Sequence, residues 1–337
     1  MIEAPDRRTK LLFWYILGCL STYFAEVWSG SQPFSFLNIQ SYVLVIPLYT
    51  LHTLFLWTLI WRNGKSWLYA LFPAGCLFGL YEAYITKVLW NPTWEISTPN
   101  VFGIALTETM VLVLFWHCFM SFVVPLLLGE AIFTSSSETY SMLPDWALGF
   151  LDRLERRKLY CVLPFFGGLF QSVGTGSVLN SVLSGLLTTL YLVALLILWR
   201  RRGGESYSMR QLLPDDREFK GITVALAVYY VLTTIFMRAE EIPGLDAQAT
   251  IWVLYLFFGA LLYLALRKSR EVEPKPISLR ISPSPVRLMM LSALISLGSV
   301  VGFVTRLNLV WALTVWLIGI SFGLFVLFKT VQSLLAT

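Results

Sequence analysis

With 337 residues, 57% of them hydrophobic and only 13% charged, the chain is far more apolar than a soluble domain, for which roughly 45–50% apolar and ~25% charged residues are usual. That balance excludes a water-soluble enzyme and points to an all-α, polytopic integral membrane protein with the lipid bilayer as its first partner. The net charge of +5 comes with no nucleic-acid-binding module and suits contact with an anionic membrane face.

Cut into apolar windows of about 20 residues, the length that crosses a hydrocarbon core of about 30 Å, the sequence predicts ten transmembrane helices. They run over 11–29, 41–61, 67–90, 101–128, 159–174, 178–199, 219–237, 249–266, 287–305 and 309–328. The N-terminus carries Arg7, Arg8 and Lys10. Placing it in the cytoplasm and alternating leaves only Lys87, Arg238 and Arg306, of 25 Lys and Arg residues, on the outer side. The positive-inside rule therefore predicts a plasma (inner) membrane protein with both termini cytoplasmic. The stretch "ILGC" at 16–19 resembles a lipoprotein cleavage box, but the apolar run continues past Cys19, so the first span is read as retained.

Residues 1–130 are predicted to form a four-helix membrane bundle with a polar cluster in its outer half. At about 1.5 Å per residue, Lys87 lies about 4 Å below the outer surface, Glu26 about 6 Å, Glu108 about 10 Å, Glu82 about 12 Å and His52 about 16 Å. An ionisable group at such depth costs at least ~2.5–3.5 kcal/mol, which makes Glu26, His52, Glu82 and Glu108 the candidate substrate- or ion-binding residues. Each also has a bland reading: an interfacial Glu26, a Glu108 satisfied by Thr107 and Thr109, a His52 bonded to a neighbouring helix. Lys87 is expected to snorkel to the nearby interface. Glu82 precedes it by five residues, about 140° around a helix, so its partner is sought on another span. His117, nine residues from Glu108, is placed on the opposite face of that helix and about 24 Å deep, outside the cluster.

Residues 131–158 read as a cytoplasmic amphipathic linker. Ala147, Phe150, Leu151 and Leu154 recur at i, i+3, i+4 and i+7 beside Arg153, Arg156, Arg157 and Lys158, so the 145–158 segment is expected to lie on anionic inner-leaflet lipids. Within the central helices, 159–270, the 159–174 span is short and holds Pro164, Gly167 and Gly168, which suggests a broken or re-entrant segment. The 200–220 loop reads as a solvated basic connector. A Pro-rich cytoplasmic linker at 271–286 precedes a C-terminal helix pair at 287–337 whose surfaces are small and apolar.

Searches for P-loop, Rossmann, His-Glu-x-x-His and nucleophile-elbow patterns find nothing. Cys19, Cys76, Cys118 and Cys161 fall within spans without paired spacing and read as structural thiols. No cofactor is indicated. Three readings of function remain: a small-solute or cation transporter using protonatable intramembrane carboxylates, placed first; a membrane-embedded enzyme on a lipid or lipid-linked substrate, with His52, Glu82 and Glu108 as metal ligands or acid and base; and an assembly scaffold without catalysis.

Overall fold

The computed structural model describes residues 4–62, 67–92, 99–156, 162–268 and 284–336. Helix α1 (Arg7–Thr22) is capped by Asp6, whose carboxylate accepts the Thr9 N–H at 2.7 Å, and continues through a π turn at Tyr23–Val27. A second π turn, Ser41–Val45, leads into α2 (Ile46–Arg62). The predicted third span is not one helix: α3 (Leu68–Gly79) stops at Leu80 and a single turn, α4 (Tyr81–Tyr84), follows. Strands β1 (Asn100–Val101) and β2 (Ile104–Ala105) pair antiparallel, Asn100 opposite Ala105. They introduce α5 (Leu106–Val111), which passes through a twelve-residue π-helical run, Leu112–Val123, into α6 (Val124–Phe133).

Two short helices follow, α7 (Glu138–Ser141) and the amphipathic α8 (Asp145–Arg156). Arg157 and Lys158 of the proposed lipid-binding segment, Cys161, and the 271–286 linker up to residue 283 lie outside the described residues. Among the described residues the predicted fifth span yields the nine-residue α9 (Leu163–Gln171). Then come α10 (Val178–Arg201), α11 (Asp216–Phe236), α12 (Leu245–Lys268), α13 (Pro285–Thr305) and α14 (Leu307–Leu335). Their starts are fixed by caps: Ser177 for α10, a reciprocal Asp215 and Glu218 capping box for α11, and Ser284 for α13. Among the described residues, seven helices are long and apolar enough to cross a membrane: 41–62, 106–133, α10, α11, α12, 286–305 and α14.

The chain forms two compact units, each discontinuous in sequence: Met1–Thr50, Val124–Leu213 and Glu273–Val315; and Leu51–Val123, Pro214–Val272 and Trp316–Thr337. In the first unit, α9 and α13 touch backbone to backbone. A Cβ on Gly168 would come within 1.9 Å of the Ile295 carbonyl oxygen, and one on Gly298 within 1.9 Å of that of Phe165. The closeness lets the Ser299 hydroxyl donate to the Gly168 carbonyl at 3.0 Å. Packing of this kind suits helices in lipid, where small residues and hydrogen bonds replace the hydrophobic drive.

The 200–220 loop, expected to be solvated, is tied down over its first-unit portion. Ser135 N–H donates to the Tyr207 carbonyl at 3.0 Å, Met209 N–H to Ser136 Oγ at 2.9 Å and Arg210 N–H to Glu138 at 3.0 Å. Met209 and Leu212 are buried, and the Trp14 indole donates to the Leu212 carbonyl at 2.8 Å. The local sequence is basic at its ends but carries two apolar anchors between them, which is why charge alone misled.

In the second unit, Arg62 meets Asp216, in the first turn of α11, at 2.6 Å, whereas Lys87 reaches the last carbonyls of α11. The chain between 62 and 87 thus runs the length of a 21-residue helix, about 30 Å at ~1.5 Å per residue. The broken α3 and α4 cover a membrane-thickness distance despite the interruption at Leu80.

Candidate functional site

The second unit gathers the ionisable groups that the opening composition made costly. Gly75 and Gly79, one turn apart on α3, face the π-helical run; a Cβ at Gly75 would lie 2.8 Å from the Cys118 Cα, and one at Gly79 2.9 Å from the Val113 Cα. This close approach brings α4 to His117. The Glu82 Oε1 and His117 Nε2 are 2.7 Å apart, and both side chains are almost wholly buried, at 9% and 4% exposure.

Hydroxyls complete the environment. His117 Nδ1 pairs with Ser121 Oγ at 2.9 Å, the Tyr81 hydroxyl lies 3.4 Å from Nε2, and the Thr86 hydroxyl donates to the Glu82 carboxylate. Charge on the pair is thereby offset at close range, which is what a buried carboxylate needs. His117, expected outside the polar cluster, instead pairs with Glu82 within it. Angle and depth were both counted at α-helical pitch, but Leu112–Val123 winds in wider i→i+5 turns. Each residue there advances less far and rotates through a smaller angle.

Lys87 does not snorkel. It is fully buried, with a left-handed φ of 63°. Its ammonium donates to the carbonyls of Ile85 and Thr233 at 3.3 Å, Thr234 at 3.4 Å, and Met237. Three of these belong to the carboxyl end of α11, where unpaired carbonyls and the negative end of the helix dipole attract a cation. Arg238 donates to the Thr86 carbonyl at 2.9 Å and pairs with Glu241.

Of the other predicted site residues, His52 is buried in this unit, its Nε2 3.0 Å from the Tyr230 hydroxyl and its ring stacked on Phe78 at 4.9 Å. Tyr81 connects the two histidines through space, with ring centroids 5.7 Å from His52 and 4.9 Å from His117. Glu108 is fully buried in the first turn of α5, a position the helix dipole favours. Glu26 belongs to the first unit, where it accepts the Tyr49 hydroxyl at 2.6 Å and that of Ser31. Among the described residues no three His, Cys, Asp or Glu side chains converge as metal ligands would. Cys19, Cys76 and Cys118 are buried and free.

Beside His52 opens a groove of about 390 Å³, within the range of small-molecule sites. Its walls come from α2, α3, α4, α11 and α12, so the predicted seventh and eighth spans contribute as well as the second and third. Of the eight wall residues only His52 was a candidate from the sequence; Tyr84, Tyr230 and Tyr255 are the polar ones among the rest. The available signal was spacing: His52, Phe55 and Leu56 recur at i, i+3 and i+4, and Leu226 and Tyr230 at i, i+4, each marking one helix face.

A family model described as an uncharacterized membrane protein family matches residues 15–337. The chain belongs to this family. A relative from Archaeoglobus fulgidus, described as an uncharacterized protein, is 34% identical over 267 residues, which span 79% of this chain and 81% of the relative. No solved structure matches. Membership accords with the seven long apolar helices, and the protein is an integral, multi-pass membrane protein.

Proposed function

We propose that this protein is a proton-linked carrier of a small solute, with the Glu82–His117 pair as its proton-exchanging group. The observation that carries the reading is the 2.7 Å Glu82–His117 contact between two buried side chains on different elements. A carboxylate with an imidazolium is neutral as a pair and holds one exchangeable proton. Loss of that proton leaves a buried negative charge, which is unfavourable until a cation arrives; return of the proton drives the cation off. Tyr81 and His52 extend hydroxyl and imidazole groups from the pair toward the groove, a route for the proton and a wall for the solute.

The accompanying topology is ten crossings with both termini cytoplasmic, in the plasma membrane. It is supported by the distribution of Lys and Arg and by the run of residues 62 to 87 along α11. Contact of the 145–158 segment with anionic lipids is supported by the amphipathic pattern of α8.

The test is proton movement in proteoliposomes that hold a pH-sensitive dye, challenged with a panel of small solutes. The parent is expected to move protons when its solute is added. Glu82→Gln, which keeps the shape and removes the charge change, should abolish that response while leaving the thermal unfolding midpoint within a few degrees of the parent. A Glu82→Gln protein that moves protons as the parent does would overturn the reading.

A further inference from the structure

The groove has a chemistry that a proton-exchanging pair does not by itself require. We infer that it binds a lipophilic organic cation, an amine or quaternary ammonium carrying apolar substituents. Four aromatic rings wall it, from Phe55, Tyr84, Tyr230 and Tyr255. The tyrosine hydroxyls are already committed: Tyr84 donates to Gln248 at 3.3 Å and receives the Trp252 indole, Tyr255 donates to the Leu80 carbonyl at 3.0 Å, and Tyr230 meets His52 at 3.0 Å. What the tyrosines offer an occupant is therefore ring rather than hydroxyl. Aromatic faces carry negative potential and attract a cation within about 6 Å of the centroid, most strongly where water is excluded.

The surrounding charge agrees. No Lys or Arg is among the wall residues, and Glu82 belongs to α4, the turn that also supplies the wall residue Tyr84. A neutral alkyl chain would fill the same volume against Leu56, Leu77 and Leu226 but would gain no electrostatic attraction from the four rings or the carboxylate. This inference deepens the proposed function and rests on it. An arriving cation replaces the positive charge of the proton that the Glu82–His117 pair releases, so one cation enters for each proton released.

The experiment titrates the detergent-purified full chain with phenyltrimethylammonium and with tert-butylbenzene, which has the same shape with carbon in place of the charged nitrogen, each against protein-free micelles. The cation is expected to bind at least about tenfold more tightly. Tyr230→Leu and Tyr255→Leu should abolish that preference, and Tyr255→Phe, which keeps the ring, should retain it. Equal binding of the neutral compound by the parent would overturn the inference, as would leucine variants that keep the preference. The comparison on the parent decides the matter even where a leucine variant does not fold. The titration reads binding without proton movement, so its failure and that of the carrier are distinguishable. A lost preference removes the cation site, whereas a preference kept beside an unaffected Glu82→Gln proton response removes only the carrier.

Discussion

The first unit joins α9 to α13 by bringing two backbones together, whereas the second joins α4 to the π-helical run through two buried ionisable side chains, Glu82 and His117. Both contacts depend on glycine: Gly168 and Gly298 in the first, Gly75 and Gly79 in the second. The outcomes differ. In the first unit the closeness is spent on one hydroxyl-to-carbonyl bond, Ser299 to Gly168, which is packing. In the second it positions Glu82 against His117, and an arrangement so costly to desolvate is usually kept in a membrane for what it does. The same sequence device, small residues on one helix face, thus serves backbone adhesion in one place and the placing of a buried ionisable pair in the other.

The largest expected effect tests the charged contact. His117→Leu leaves Glu82 buried without its partner and should cost about 4 kcal/mol of stability, in the range for breaking a buried pair. Replacing both residues by leucine should recover most of that loss, because no charge is then stranded. Thermal unfolding of the two variants in one detergent measures the difference; a double variant as unstable as the single one would mean that packing, and not charge, holds α4 in place.

Gly298→Leu comes next. Its side chain would collide with backbone rather than with a yielding side chain, so α9 must move away from α13 at about 3 kcal/mol, and the loss of folded material on size-exclusion chromatography reads it. A Gly298→Leu protein as stable as the parent would show that the backbone contact is not what joins the two helices. The smallest effect is expected for Lys87→Met, which removes the ammonium from the end of α11 at about 2 kcal/mol, the scale of hydrogen bonds to a charged group. Hydrogen exchange should rise at the α11 terminus alone, and a rise spread over the whole unit would give Lys87 a wider role.

Much of the helical content was legible because lipid imposes a length and a composition on whatever crosses it, and seven apolar helices follow from that constraint. The breaks were only partly legible. Pro164, Gly167 and Gly168 announced the short α9, but nothing local announced the stop at Leu80, since Pro73 sits inside α3 without ending it. Glu82 and His52 were singled out by their depth alone. Their partners were not, because Tyr230 lies 178 residues from His52 in the chain and spacing on one helix says nothing about the helix it meets. Lys87 was misjudged for a related reason: the carbonyls that receive it belong to α11, 146 to 150 residues away. A Gly-x-x-x-Gly pattern at 75–79 was the one local signal that α3 would be approached closely.

The π-helical run also bears on how the protein fits its membrane. The continuous helix from Leu106 to Phe133 has 28 residues, and as an α-helix it would reach about 42 Å at ~1.5 Å per residue. The hydrocarbon layer is only about 30 Å thick, so an upright helix of that length would project apolar side chains into water on one or both sides. Twelve of its residues are wound in wider turns, which pack more side chains into each unit of height and shorten the rod. Hydrophobic mismatch is thereby reduced within the helix itself, leaving less for tilt or a deformed bilayer to absorb.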